Sequence, residues 1–453
     1  MRVFRLLLTA VLLLIVVTYP AAAAPNAQAG AVQVGRPPLE DLPAGVRIER
    51  VLGDMHLPTA MAFDPSGRLF YTEKDGKVRL LANGNRPSTP VIEFKVDDNG
   101  ERGLLGIAVD PDFAANHYIY VYYTCGESGG CDPLENRVVR FVERDGVGSD
   151  PTTIFTSRQT AGNHVGGNIH FGPDKMLYIT IGDNAFAANS QDVAAKQGKL
   201  HRIRPDGSFP PDNPRFNTPG ALPSLYAIGL RNSFDFTFDP LVPGRIFASE
   251  NGPGCDDEMN RIEAGYNYGW RSNYPCDGAN PDPEFNTIKP LWTTGQDCCM
   301  APTGIVVYNG DSIPQWKGHI FMAVYDGELY HFTPNAGRTE LTAATRLRTV
   351  TANMDVETGP DGALWYMQGG GYTDGTLFRL VGPSQPQPNP TPTSQPGSPT
   401  IPGNGSRTFP ETNKTVRGLF LDYWDAHGGL PQQGYPISEL LIEVSDLDGK
   451  AYT

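Results

Sequence analysis

The chain has 453 residues, 39% hydrophobic and 19% charged, with 50 Asp and Glu against 36 Lys and Arg for a formal charge of −14. So acidic a chain lacks the basic surface that neutralises phosphates, which excludes a nucleic-acid partner. Its 51 Gly and 41 Pro exclude a mainly helical fold, because an interior Gly costs about 1 kcal/mol and an interior Pro about 3; strands joined by frequent turns fit instead.

Residues 1–24 open with Arg2 and Arg5, run through LLLTAVLLLIVVTY and end in Pro20 and AAAA, the three-part pattern of a secretory signal peptide. The apolar run is shorter than the roughly 20 residues that cross a bilayer, and no second one follows. The chain is therefore expected to be secreted, periplasmic or held at the cell surface, with no membrane span after cleavage. Cysteines oxidise in such places. Cys125 and Cys131 flank GESGG, close enough to staple a hairpin tip, whereas Cys255, Cys276, Cys298 and Cys299 allow three pairings.

From 44 to 381 one phrase recurs, an Asp-Pro or Gly-Pro-Asp turn followed by an apolar, aromatic strand. It appears at Pro65, Pro111, Pro173, Pro240 and Pro360, and the gap of 120 before the last holds a degenerate copy, WKGHIFMAVYDGELYHF, from Trp316. Six units of about 56 residues match four-stranded propeller blades with long loops. The expected fold is all-β, a six-bladed β-propeller whose loops converge on an axial pocket. Residues 382–407, rich in Pro, Gly and Ser, read as a stiff linker, and 408–453 as a small C-terminal module, possibly incomplete, with a strand starting at Ala451.

Three loops carry chemistry. In NHVGGNIHFGPDKMLYITIGDNA, Asn163 and His164 precede a Gly-Gly turn and a strand ending in Gly182-Asp183. An imidazole there can serve as a general base, unless it is simply a surface-loop histidine. The other seven, His56, His117, His170, His201, His319, His331 and His427, read as packing or surface groups. In AIGLRNSFDFTF, Arg231 offers a planar cation for an oxyanion and Asn232 both donates and accepts, although a structural ion pair would use the same arginine. In SENGPGCDDEMNRIEAGYNYGW, Asp256, Asp257 and Glu258 beside Gly-Pro offer carboxylate and carbonyl oxygens suited to calcium.

The ordered phrases GERGLLGIAVDPDF, NHVGGNIHFGPD, YITIGD, AIGLRN and ENGPGCDDEMNRIEAGYNYGW resemble the soluble glucose/sorbosone dehydrogenases, also called aldose sugar dehydrogenases, which use pyrroloquinoline quinone (PQQ). The resemblance implies a small-molecule sugar substrate, an external electron acceptor, PQQ and Ca2+. It assigns His164 as the base, Asp183 as the acid that orients it, Arg231 as the charge stabiliser on the cofactor and Asn232 as a further cofactor contact. Gly252 and Pro253 become carbonyl ligands of the calcium, and Glu258 with Tyr268 a further calcium site. Glu101 stands where the family commonly has Gln, beside the expected sugar pocket.

The chain departs from that pattern where the family binds the cofactor's three carboxylates. Tyr325 stands near a lysine position, and Ala352 and Met354 stand where an Arg-x-Arg pair is expected. Two further readings follow. One is a calcium-dependent propeller lactonase or other hydrolase; the other is a non-catalytic propeller that binds carbohydrate or a surface.

Overall fold

The computed structural model describes residues 32–215, 217–276, 287–297 and 300–383, and in the tail 406–409, 414–417, 421, 443–444 and 451–452. The leader, residues 384–405 of the Pro-rich linker, Cys298, Cys299, His427 and most of the tail lie outside the described residues, and Ser406 and Arg407, read as the linker's end, already belong to a strand of the tail.

Residues 47–381 form a six-bladed β-propeller, each blade an antiparallel four-stranded meander. The innermost strands, in blade order, are Pro58–Phe63, Leu104–Val109, Ile169–Phe171, Phe236–Phe238, Pro302–Val307 and Val356–Thr358. The second strands are buried almost throughout, as in Leu69–Glu73, Leu177–Ile181, Ile246–Glu250 and Ile320–Val324, because neighbouring blades cover both faces. Six apolar clusters fill the six blade-to-blade interfaces; Phe70 and Val78 of blade 1 meet Ile107 and Val121 of blade 2, and Trp365 and Met367 of blade 6 meet Tyr71 and Met61 of blade 1. Burying about 25 cal/mol per Å² of apolar surface at each interface makes the ring self-supporting once closed.

Closure is non-covalent. The outermost strand of blade 6 is Arg47–Met55, from the start of the propeller, paired antiparallel with Gly375–Val381 from its end. Ahead of residue 44, Gln33–Val34 and Leu39–Glu40 add parallel edge strands to blades 4 and 5. The Cys125–Cys131 disulfide staples the hairpin after Tyr118–Cys125, and Cys255 pairs with Cys276.

The recurring phrase marks one end of the propeller. Pro65, Pro111, Pro173, Pro240 and Pro360 all lie between the first and second strands of their blades. Because strands alternate in direction, the hairpins between second and third strands, and the segments leading into each next innermost strand, gather at the opposite end. Every candidate site loop read from the sequence starts from there.

The tail is a separate compact unit, Gln385–Thr453, in which Ser406–Phe409 pairs with Lys414–Arg417 and Glu443–Val444 with Ala451–Tyr452. Among the described residues no helix is long and apolar enough to cross a membrane.

Candidate active site

His164 sits in the segment entering blade 3 with a left-handed backbone, φ 54°, on a loop pressed against Gly182, which links the strand Leu177–Ile181 to Asp183. A Cβ on Gly182 would lie 2.2 Å from the His164 carbonyl oxygen, so only glycine permits that approach. The His164 Nδ1 is 2.6 Å from Asp183 Oδ1. Asp183 Oδ1 also accepts the Ala185 N–H at 2.8 Å, and Oδ2 the Trp270 Nε1–H at 2.7 Å. An ionised carboxylate only accepts, so Nδ1 carries the proton and Nε2 is left able to take one.

Arg231 and Asn232 join this network through the segment entering blade 4. The Arg231 carbonyl accepts the Asp183 N–H at 2.6 Å, and its guanidinium lies 5.4 Å from the Trp270 ring centroid. Arg231 Nη1 donates to the Asn251 carbonyl at 2.8 Å, while Nε is buried with no partner among the described residues. Burial lowers the guanidinium's pKa. The buried Glu250 holds the turn: Oε1 accepts the N–H groups of Arg231 (2.9 Å) and Asn232 (2.6 Å), and Oε2 the Ser233 hydroxyl. Burial pushes its pKa up to about 7.

Glu101 ties the two loops together. Its Oε2 accepts the His164 N–H at 2.7 Å and the Asn232 Nδ2–H at 3.3 Å, and Asn232 Oδ1 accepts the Gly166 N–H at 3.0 Å. The carboxylate that distinguishes this chain from the expected glutamine thus orients the loop that bears His164. Glu101, Asn232 and Asn251 line an axial cavity of about 160 Å³ with Lys74, Tyr325, Met354 and Tyr372. Tyr325 and Met354 therefore face the cavity as neutral side chains, and Ala352 is fully buried. Larger clefts beside the Cys125–Cys131 loop contain no part of the His164 network.

All four predicted calcium residues, Gly252, Pro253, Glu258 and Tyr268, line a second, smaller cavity with Arg231, Glu250 and Asp256. Its volume of about 20 Å³ is room for one water-sized occupant. Burial raises the Glu258 pKa to about 8, with Glu250 and Asp256 adding repulsion. The Tyr268 hydroxyl is taken up by the backbone, donating to the Arg261 carbonyl and accepting the Glu263 N–H, both at 2.8 Å. Among the described residues no three His, Cys, Asp or Glu side chains group closely enough to hold a metal by themselves. A cation here would have to draw on backbone carbonyls as well.

The remaining described histidines are packing or surface groups: His56 is exposed beside Asp374 and His117 lies edge-on to Phe113. His170 pairs with Asp235 at 2.8 Å, His201 bridges Ser224 and the Lys196 carbonyl, and His319 contacts His331, which holds Glu40 of the edge strand. The sequence reading passed over Trp270, Glu250 and Lys74. Trp270 and Glu250 stood inside a quoted phrase with no chemistry attached, and Lys74 resembled any exposed hairpin lysine.

A family model for glucose/sorbosone dehydrogenase matches residues 55–379. The aldose sugar dehydrogenase YliI of Escherichia coli (strain K12) is 29% identical over 347 residues, covering 72% of this chain and 90% of that protein. The crystal structure of the soluble aldose sugar dehydrogenase from Escherichia coli in the apo-form superposes with a TM-score of 0.65 at 28% identity, over 74% of this chain and 99% of that one. The PQQ-bound aldose sugar dehydrogenase of Streptomyces coelicolor gives 0.61 at 27%, over 75% and 99%.

Proposed function

The chain belongs to the glucose/sorbosone dehydrogenase family, and on that premise we propose that it is an exported sugar dehydrogenase that oxidises an aldose-type hydroxyl with PQQ and Ca2+. The observation that carries the reading is the His164–Asp183 pair, joined through Trp270 and the Arg231 carbonyl to a buried guanidinium.

In this reading His164 Nε2 removes the proton of the sugar hydroxyl, which makes the adjoining C–H a better hydride donor. Asp183 fixes the tautomer and balances the imidazolium that forms. Arg231 and Asn232 would hold the cofactor's quinone end, where the buried Arg231 Nε, without a partner among the described residues, would supply a hydrogen-bond donor. Gly252 and Pro253 would hold the calcium through carbonyl oxygens, in a cavity with room for one water-sized occupant. The bound quinone and its calcium would supply the two-electron acceptor. The resemblance gives Glu258 with Tyr268 to a further calcium site, but all four residues line this one cavity with room for a single occupant, so they would serve one cation together. Export is supported by the leader pattern and the disulfides, and the N-terminal signal, linker and tail module are read as residues 1–24, 382–407 and 408–453.

The test is reconstitution with PQQ and calcium followed by dye-linked oxidation of an aldose panel, with His164→Gln alongside. Turnover by the wild type and its loss in the variant are expected. No turnover on any sugar and no retained quinone absorbance would reject the assignment. A non-catalytic binding propeller draws on one observation, the neutral Tyr325 and Met354 in the axial cavity. Carbohydrate binding that survives His164→Gln without turnover in the wild type would select it.

A further inference from the structure

Lys74 begins the hairpin between Leu69–Glu73 and Lys77–Leu81 in blade 1. Its backbone is pinned on both sides, the N–H donating to the Leu57 carbonyl at 2.9 Å and the carbonyl accepting the Leu104 N–H at 3.0 Å. Gly103 lies against it with φ 138°, and a Cβ there would come within 2.6 Å of Lys74 Cγ. The lysine is thereby aimed inward, with only 5% of its surface exposed. Among the described residues it is the only Lys or Arg that lines the axial cavity.

The ammonium has one acceptor, the Asp98 carbonyl, and among the described residues forms no ion pair. It lies 4.7 Å from the centroid of Tyr372, whose ring stands edge-to-face with Tyr325 at 6.0 Å. Burying an ammonium without a paired carboxylate is costly, and three donors with one acceptor leave capacity unused. A cation between aromatic walls in the axial cavity suits a planar aromatic ring that carries a carboxylate.

We propose that Lys74, with Tyr372 and Tyr325, is the carboxylate-binding subsite of the axial cavity and anchors a planar aromatic carboxylate ligand. This deepens the reading above, because PQQ is such a ligand. In the same wall, Tyr325 and Met354 offer no charge and the Glu101 carboxylate opposes an anion, so among the described lining residues the ammonium is the one electrostatic attraction for a carboxylate.

The experiment is calorimetric titration of the apo protein with three probes: PQQ, quinoline-2-carboxylate and the neutral quinoline-2-carboxamide. The wild type is expected to bind the carboxylate at least about tenfold tighter than the carboxamide, as one charge-assisted contact allows. Lys74→Met should erase that preference and leave carboxamide binding unchanged, and Lys74→Arg should retain it. Lys74→Gln keeps a donor for the Asp98 carbonyl without the charge and repeats the comparison if the methionine variant does not fold. A wild-type preference below twofold overturns the assignment without any variant, as does a preference that survives loss of the charge. Charge-dependent binding of quinoline-2-carboxylate with no binding of PQQ would keep the subsite and remove the quinone reading. Equal PQQ affinity in wild type and Lys74→Met would do the reverse.

Discussion

The indole of Trp270 and the imidazole of His164 are held by opposite oxygens of one carboxylate, at 2.7 Å on Asp183 Oδ2 and 2.6 Å on Oδ1. Three N–H donors converge there once Ala185 is counted, and an amide, with a single acceptor oxygen, cannot serve them all. Asp183→Asn should therefore lower dye-linked turnover by about 10² to 10⁴, the range of a general base, and Trp270→Phe by a smaller factor, roughly tenfold. Steady-state kcat at saturating cofactor checks both; an unchanged kcat in Trp270→Phe would mean that the indole does not orient the acid.

The small cavity allows Glu258 and Tyr268 to be separated. Glu258 presents a buried carboxylate to it, whereas the Tyr268 hydroxyl is already spent on the Arg261 and Glu263 backbone. Calcium affinity, measured by titration of chelator-stripped protein, should fall at least about tenfold in Glu258→Gln, since a charged oxygen ligand is lost. Tyr268→Phe should keep calcium affinity within about twofold and instead lose about 1 kcal/mol of stability from the broken hydrogen bonds. The opposite ranking would place the phenol on the metal.

His201 makes the fold acid-sensitive. It is fully buried among Phe155, Ser224 and the Lys196 carbonyl, and burial drives its pKa from 6.5 down to about 3. Between those values the unfolded chain binds a proton that the folded chain does not. Stability is therefore whole above pH 6.5, declines as pH falls below it, and stops declining on this account below about pH 3. Between pH 7 and pH 5 the wild type should lose roughly 2 kcal/mol from this group, and His201→Gln should lose correspondingly less. Urea midpoints at the two pH values make the comparison; parallel losses would exclude His201 as the source.

What the sequence displays most loudly is the end of the propeller away from the candidate site. The Asp-Pro and Gly-Pro-Asp turns repeat because each blade must make the same tight connection between its first two strands, so blade number was readable from Pro65 to Pro360. The candidate site lies at the other end, where loops differ from blade to blade, and only phrases with distinctive residues, such as NHVGG and IGD, could be singled out. Lys74 illustrates what stays hidden: TEKDGK is an ordinary polar hairpin until Gly103 and Leu104 of the next blade close over it. Glu250 is similar, since nothing local says that a strand-end carboxylate will cap the Arg231-Asn232 turn from 19 and 18 residues away. Burial and cross-blade partners, not residue type, assign both.

The loop holding His164 also gives a test of positioning that leaves every polar group in place. Gly182 has no side chain, and an added Cβ would lie 2.2 Å from the His164 carbonyl oxygen and 2.8 Å from Asn232 Oδ1. Contacts under 3 Å to backbone cannot be relieved by a side-chain rotation, so Gly182→Ala must push the NHVGG loop off the strand. The His164–Asp183 and Gly166–Asn232 hydrogen bonds would lengthen together. Turnover should fall by at least about a hundredfold, because a displacement near 1 Å suffices for such a loss, while five of the six interface clusters contain no part of the NHVGG loop and the sixth, between blades 2 and 3, draws only Val165 from it, so the propeller stays folded with a modest fall in melting temperature. Circular dichroism and melting temperature report the fold, and kcat the site. A variant that melts far below the wild type would show the loop to be part of the structural core, and one with normal kcat would show that the backbone contact does not set the position of the base.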